Sequence, residues 1–334
     1  MKKLDWKKLV INTVCSLVIP VVIFLVFAIL TKGRTATVRV FTTTIRQSIV
    51  PIMICFGLML NMSVGMINFS AGAMITFAGI IGGNLANMTG TGVPGVFGFC
   101  LLITVALGAI TGVLYNLIRV PSMVLTIGTL MIWEAAPYTL FTEGANMRSN
   151  MTILAREPYC YILLAILFVA FYILTNKTAF GHNLSAIGNN QAIANSVGLD
   201  SDKIKFFSFL FGSMFLGVAA TVHLSITGAL RNVTAMSSMT VMMDGFMGVF
   251  MAMFLSRYCN TSIAVVIGTF SMRMLSNGFL AMGFSSTARD VVQGVLLLAL
   301  LTISANAGII ETSRANKAFK DVANKEYLGA AAAK

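Results

Sequence analysis

Few side chains in this sequence could do chemistry, and their positions restrict what that chemistry is. Glu134, Asp244 and Arg273 sit inside apolar runs, with His223 and Asp290 in or beside others. A charge at a bilayer centre costs about 2.5–3.5 kcal/mol even on insertion scales, so each must face protein or water. Asp244 and Arg273 have opposite signs and are expected to pair across neighbouring helices. A proton or ion relay would instead need a chain of carboxylates, which the sequence lacks. Asn61, Asn68 and Ser70 form a neutral group around Phe69. Small and amide residues form another, from Ala186 through Gly188, Asn189, Asn190, Gln191 and Ala194 to Gly198. No GxxxxGK[ST] phosphate loop is present, and Lys177-Thr178 has no glycine loop before it, so any ATP must be hydrolysed by another chain. Two histidines exclude most metal sites. The five cysteines, Cys15, Cys55, Cys100, Cys160 and Cys259, show neither metal-ligand nor disulfide spacing. No cofactor is expected in this chain.

The elements that must position these residues are membrane helices. The chain is 57% hydrophobic and 10% charged with a mean hydropathy of +0.88, against about 45–50% apolar and 25% charged for soluble domains. No charged residue lies between Arg46 and Arg119, which leaves room for three spans of about 20 residues. Barrel strands would alternate polar and apolar residues, and these runs do not. The net charge of +12 resides at span ends rather than in a patch with aromatics, which argues against nucleic acid. Ten apolar segments are expected, at 9–30, 49–60, 73–88, 95–117, 123–141, 159–175, 206–227, 241–255, 262–282 and 291–310. The first follows four lysines and is too long for a signal-peptide core, so it is read as a retained helix. The excess of Lys and Arg on the side of the amino terminus places both termini in the cytoplasm. Residues 1–310 then form one transmembrane domain, with a cytoplasmic loop at 179–205, and residues 311–334 form a cytoplasmic tail.

Two stretches interrupt the pattern. Between 61 and 72, Gly65, Asn68, Ser70 and Gly72 occur without charge between segments that look shorter than a full span, which points to one broken helix pair. Transporters place polar solute contacts at such breaks; close packing of small residues is the ordinary alternative. The polar island at 177–205 is several times longer than a usual connection of about 2–8 residues. Within it, 191–197 reads as a short helix with Asn190 as N-cap and Gly198 as its stop, a surface that a cytoplasmic partner could grip. On the other side of the membrane Arg148, Arg156, Arg231 and Arg289 are available to steer an acidic partner, or to meet lipid headgroups.

Several motifs are similar to one family. Residues 65–72, G-M-I-N-F-S-A-G, resemble the G-G-I-D-L-S-V-G signature of the inner-membrane permeases of ribose-type ABC importers. Residues 120–128, V-P-S-M-V-L-T-I-G, resemble that family's V-P-S-F-I-V-T-L-G. The stretch from Phe180-Gly181 through Ala186-Ile187-Gly188-Asn189-Asn190 to Ser196-Val197-Gly198-Leu199 is similar to its cytoplasmic loop, and Asn277-Gly278 stands where a late N-G pair is carried. These motifs run in the same order over most of residues 50–300. Two departures stand out: Asn68 replaces an aspartate, and M-A-M-F-L-S-R-Y-C-N at 251–260 replaces a glycine-rich turn.

The resemblance implies an all-α integral membrane permease of about ten transmembrane helices, with one broken helix pair and a cytoplasmic coupling helix. It implies a second permease copy or a paralogue, a cytoplasmic ABC ATPase that binds ATP and is held at the island, and an extracytoplasmic solute-binding protein. The cargo expected is a small polar solute, a sugar or nucleoside-like compound, with Asn61, Asn68, Phe69 and Ser70 near its path. A branched-chain amino-acid permease of related fold, an ion-coupled secondary carrier and a non-transporting scaffold are the alternatives. The chain is not expected to be an enzyme.

Overall fold

The computed structural model describes residues 6–33, 37–256, 258–285 and, beyond these, 287–288, 291–292, 294–295, 298–299 and 302. Two compact units divide the chain, Met1–Gly283 and Phe284–Lys334. The elements of the first unit are α1 (Trp6–Leu30), α2 (Val38–Ser63), α3 (Ala71–Thr89), α4 (Gly92–Ile118) and α5 (Ser122–Leu140). They continue with β1 (Ala145–Asn146), a 3-10 turn (Ser149–Ala155), α6 (Tyr159–Asn176), α7 (Ala179–Asn189) and α8 (Gln191–Ser196). The last are α9 (Ser201–Thr227), β2 (Ala229–Leu230), α10 (Met239–Leu255) and α11 (Thr261–Ala281).

Apolar runs of this length become helices because a helix satisfies every backbone N–H and C=O within the segment, which lipid cannot do. Left-handed residues end several of them: Gly90 (φ +64) after α3, Arg119 (φ +56) after α4 and Gly228 (φ +71) after α9. Seven described helices are long and apolar enough to cross a membrane, and Leu17–Leu30 and Met239–Leu255 are shorter apolar helices. The expected segment at 291–310 falls largely outside the described residues, as does the whole tail at 311–334.

The core is built on α9, which packs against α2, α3 and α4, while α10 and α11 pack on α2 and on each other. In α2, α3 and α9, 72% of the most apolar window is buried, against 17% in α6, whose apolar surface faces outward. At the α2–α9 crossing a Cβ on Gly57 would stand 2.7 Å from the carbonyl oxygen of Gly212, so the two backbones nearly touch. The β1–β2 ladder pairs Ala145 with Leu230 and Asn146 with Ala229. It is tied to α3 by Asn84 Nδ2 donating to Gly144 O at 2.8 Å and Asn87 Nδ2 donating to Asn146 O at 2.7 Å.

Helix ends lie within a few residues of the sequence expectation, with two differences. α2 begins at Val38 rather than 49 and runs 26 residues, and α3 runs 19. Neither flank of the 64–70 interruption is therefore short. Arg39 and Arg46 are carried on the helix itself, where a charged end can face water. The island also holds more helix than expected, since α7 precedes α8. Its Leu184 and Ile187, three residues apart, are both buried.

Candidate functional site

Three constellations emerge, and α2 touches them all. The first is the island. Thr178 caps α7 by accepting the Gly181 N–H at 3.3 Å. Asn190 ends α7 and starts α8, its Oδ1 accepting the Ile193 N–H at 3.1 Å, and Gly198 follows with φ +92. Asp200 then caps α9 through the amides of Asp202 and Lys203. The Lys203 amide, with its side chain beside it, holds the Asp200 carboxyl below its ordinary range. Gln191 is held from both ends, its Oε1 accepting from Lys205 Nζ at 3.1 Å and its Nε2 donating to Ser201 Oγ at 3.2 Å. Ala194 faces inward at 5% exposure, while Ile193 and Val197 stand out at 62% and 79%. Ala186 receives the Asn190 N–H on its carbonyl, and Gly188 lies so close to α2 that a Cβ would sit 2.0 Å from Ser63 O. Asn189 is exposed.

The second constellation is the turn at 64–70, one residue beyond that contact. Val64 and Met66 donate their N–H groups to Asn61 O, and Gly65 takes φ +74. Asn68 Oδ1 accepts both the Ser70 N–H at 3.1 Å and the Ser70 Oγ–H at 2.7 Å. Both contacts use one neutral acceptor, so an amide holds this turn as an aspartate would. Ile67 donates its N–H to Ser122 Oγ and accepts from Thr126 Oγ1, both at 3.2 Å, which fixes the turn to the start of α5. Phe69 stacks on Phe246 at 5.5 Å. Asn61 is 1% exposed; its Oδ1 accepts from Ser208 Oγ at 3.2 Å, and its Nδ2 has no partner among the described residues. Asn68 and Ser70 are equally buried, so these residues are gathered in one place and packed.

The third is a cavity of about 560 Å³ among α2, α9, α10 and α11. Thr42, Thr43, Arg46 and Gln47 enter it from α2, His223 and Thr227 from α9, Thr240 and Asp244 from α10 and Arg273 from α11. Arg273 Nη1 donates to Asp244 Oδ2, as opposite charges in neighbouring spans required, and the side chains remain 20% and 32% exposed. Arg46 Nη2 reaches Ala155 O at 3.4 Å, while Arg273 Nε and His223 Nδ1 are buried without a partner among the described residues. The signal for this cavity was present in the sequence. Residues 42–43, 46–47 and 50–51 recur at helical spacing, but read as loop they carry no face.

Glu134 is separate from that cavity. At 4% exposure its two carboxylate oxygens accept the N–H of Met236 at 2.8 Å and of Ser238 at 2.7 Å, next to left-handed Ala235 and Met236. A carboxylate at the start of α10 also meets the positive end of that helix. The same loop presses on α3, since a Cβ on Gly72 would stand 2.2 Å from Ser238 O. Glu134 and Asp244 thus each have a committed partner. Arg148 and Arg156 flank the 3-10 turn, and Arg231 follows β2; all three are exposed. The β1–β2 ladder and a Met147 N–H to Gly228 O bond at 2.8 Å bring the loops of Arg148 and Arg231 together. Arg289 lies outside the described residues.

Comparison with known proteins agrees with this membrane architecture. The autoinducer 2 import system permease protein LsrC of Yersinia enterocolitica is 25% identical over 272 residues, covering 79% of this chain and 74% of its own. The protein of the same name from Yersinia pestis is 24% identical over 277 residues, covering 79% and 77%. No solved structure matches. Residues 40–301, most of the chain, match the family described as branched-chain amino acid transport system / permease component. The chain belongs to that family and is the membrane permease subunit of an ABC-type transport system, a transport component and not an enzyme.

Proposed function

We propose that this permease moves a small polar solute, a sugar or nucleoside-like compound, into the cytoplasm. It does so as one half of a pair with a second copy or a paralogue. Ten spans place both termini in the cytoplasm, with residues 1–310 as the permease domain and 311–334 as a tail. A separate ABC ATPase grips the island through Ala186, Gly188, Asn189, Asn190, Gln191, Ala194 and Gly198, and a solute-binding protein docks near Arg148, Arg156, Arg231 and Arg289. The turn at 64–70 lies beside the solute path. The observation that carries this reading is the seat of Gly188 on Ser63 O. It joins the exposed helices α7 and α8 directly to the end of α2, so a pull on the island moves a core helix and the turn behind it. An ion-coupled carrier would want free carboxylates within its spans; of those in the described helices, Glu134 is spent on backbone amides and Asp244 on Arg273.

The test is a crosslink from a Gln191→Cys variant to the ATPase in membranes carrying the complete transporter. A crosslink that forms and changes its yield with nucleotide supports the docking role. An active transporter with no crosslink from Gln191→Cys, or uptake by this chain alone that an ionophore abolishes, overturns it.

A further inference from the structure

We propose that a second cavity, of about 240 Å³ and beside the island, is a site for one anionic phospholipid headgroup, a phosphodiester bearing free hydroxyl groups as in phosphatidylglycerol. It shares no residue with the cavity of about 560 Å³. Tyr115, Asn116, Arg119 and Val120 line it from the end of α4 and the link to α5, and Asp202 and Lys205 from the first turns of α9.

Charge is the first argument. Lys205 is 9% exposed, and a buried ammonium ordinarily has an anion beside it. Its Nζ instead donates to Gln191 Oε1 at 3.1 Å and lies 5.7 Å from the centre of the Tyr115 ring, both neutral partners. Among the described residues neither Lys205 nor Arg119 forms an ion pair. Asp202 is the one carboxylate in the lining, so Lys205 and Arg119 leave an excess of one positive charge. A phosphodiester carries the single negative charge that balances it. Acceptors for its hydroxyl groups are also present. Asn116 Nδ2 donates to Asp202 O at 3.1 Å, which fixes the amide and leaves Asn116 Oδ1 without a partner among the described residues; the Asp202 carboxylate stands in the same wall.

Position is the second argument. α4 ends at Ile118 and α5 begins at Ser122, and both are long and apolar enough to cross a membrane. The cavity therefore lies where two spans reach the membrane surface, a place at which basic pockets between helices hold anionic headgroups. Arg119 takes φ +56 in the link and is exposed. Apolar side chains continue the wall toward the bilayer: Val113, Leu117 and Ile118 on α4 and Met123 and Val124 on α5 are all exposed. Acyl chains would cover them, whereas a free phosphate would use the same cations and leave this surface bare. At about 30 Å³ per water the cavity holds the volume of roughly eight waters, room for a headgroup and not for its tails. Lys205 also holds Gln191, and Gln191 Nε2 donates to Ser201 Oγ, so a bound headgroup is one hydrogen bond removed from α8.

The experiment is native mass spectrometry of the full-length permease in detergent, titrated with dioleoyl-phosphatidylglycerol and, for comparison, dioleoyl-phosphatidylcholine. The first phosphatidylglycerol should bind with a Kd roughly tenfold or more below that of phosphatidylcholine. Arg119→Gln should raise that Kd roughly tenfold, as loss of a hydrogen bond to a charged group does. Lys205→Gln should raise it at least as much; because Lys205 is buried, the exposed Arg119 variant decides the matter should Lys205→Gln not fold. Lys177→Gln removes an exposed lysine at the end of α6, on the island's side of the membrane, and should change nothing. Excess inorganic phosphate should not displace the lipid. Equal affinity for the two lipids, an unchanged Kd in Arg119→Gln, or an equal rise in Lys177→Gln would each overturn the site, the last by showing attraction to surface charge alone. Displacement by inorganic phosphate would overturn the lipid as its occupant in favour of a soluble phosphate.

Discussion

Replacing Gly188 with alanine should uncouple this permease without dismantling it. The added Cβ would meet Ser63 O at 2.0 Å and Ser63 C at 3.2 Å, while ordinary contact begins at 3.4 Å. Both obstacles are backbone atoms at the end of a buried helix, so α7 must lift from α2 by about 1.4 Å. Overpacking of this size costs about 1–3 kcal/mol, less than a folded domain's total stability of about 5–15 kcal/mol, so the protein should insert and assemble. The seat between island and core helix is nevertheless lost. In proteoliposomes with ATPase and binding protein, uptake per ATP hydrolysed should fall at least tenfold while hydrolysis continues. Gly90→Ala is the matched control. Gly90 has φ +64 and nothing within 4 Å of a Cβ, so that variant bears a backbone cost of about 1–2 kcal/mol at the other end of α3 and should transport normally. A Gly188→Ala transporter with the parent's uptake per ATP, in the same preparation, would refute the idea that the island acts through Ser63.

Glu134→Gln keeps one acceptor oxygen but turns an NH2 group toward a buried N–H, so the loop at 235–238 should lose about 1–3 kcal/mol. Thermal denaturation of the detergent-solubilised protein should show it, and an unchanged midpoint would mean that the two bonds do not hold the start of α10. Asn68→Ala strands the Ser70 hydroxyl and amide and should cost about 1–3 kcal/mol in the same assay. An unchanged midpoint in that variant would contradict the turn chemistry. A disulfide between cysteines placed at Asn61 and Ser208, whose side chains meet at 3.2 Å, should leave uptake unchanged between oxidised and reduced samples. Loss of uptake on oxidation alone would show that α2 and α9 slide past each other.

Much of the architecture was legible because hydrophobic runs and helix caps are local signals. Asn190 as N-cap and Gly198 as stop recur in the structure as read, and Asp244 with Arg273 could be paired because they are opposite charges inside neighbouring apolar runs. What escaped has a physical reason in each case. The start of α2 was missed because Arg39 and Arg46 mimic a loop, although the end of a membrane helix tolerates charges that reach out of the bilayer core. α7 was missed because Ser, Asn and Gly dominate its composition and only Leu184 and Ile187 carry its buried face. The cavity needed the three-dimensional meeting of α2, α9, α10 and α11, and only its α2 face, at 42–43, 46–47 and 50–51, is periodic in the sequence. The role of Glu134 depends on a loop a hundred residues away, a distance over which a single sequence gives no register.

These placements make α2 the member through which the parts communicate. Its first turns line the cavity, its middle is pressed on α9 at Gly57, and its last residue receives Gly188. A close-packed crossing of two glycine backbones transmits displacement because it has no slack to absorb it, so α2 and α9 should respond to the island as one body. The cavity is bounded on its other side by α10 and α11, which share the Asp244–Arg273 pair. The loop at 231–238 is the non-helical connection between α9 and α10, and the turn at 64–70 is the one between α2 and α3. Both joints are tied down by a small number of hydrogen bonds, from Asn68 in one and Glu134 in the other. Such joints can have two discrete arrangements where a continuous helix would have one, which is what the pull on the island proposed above would act on.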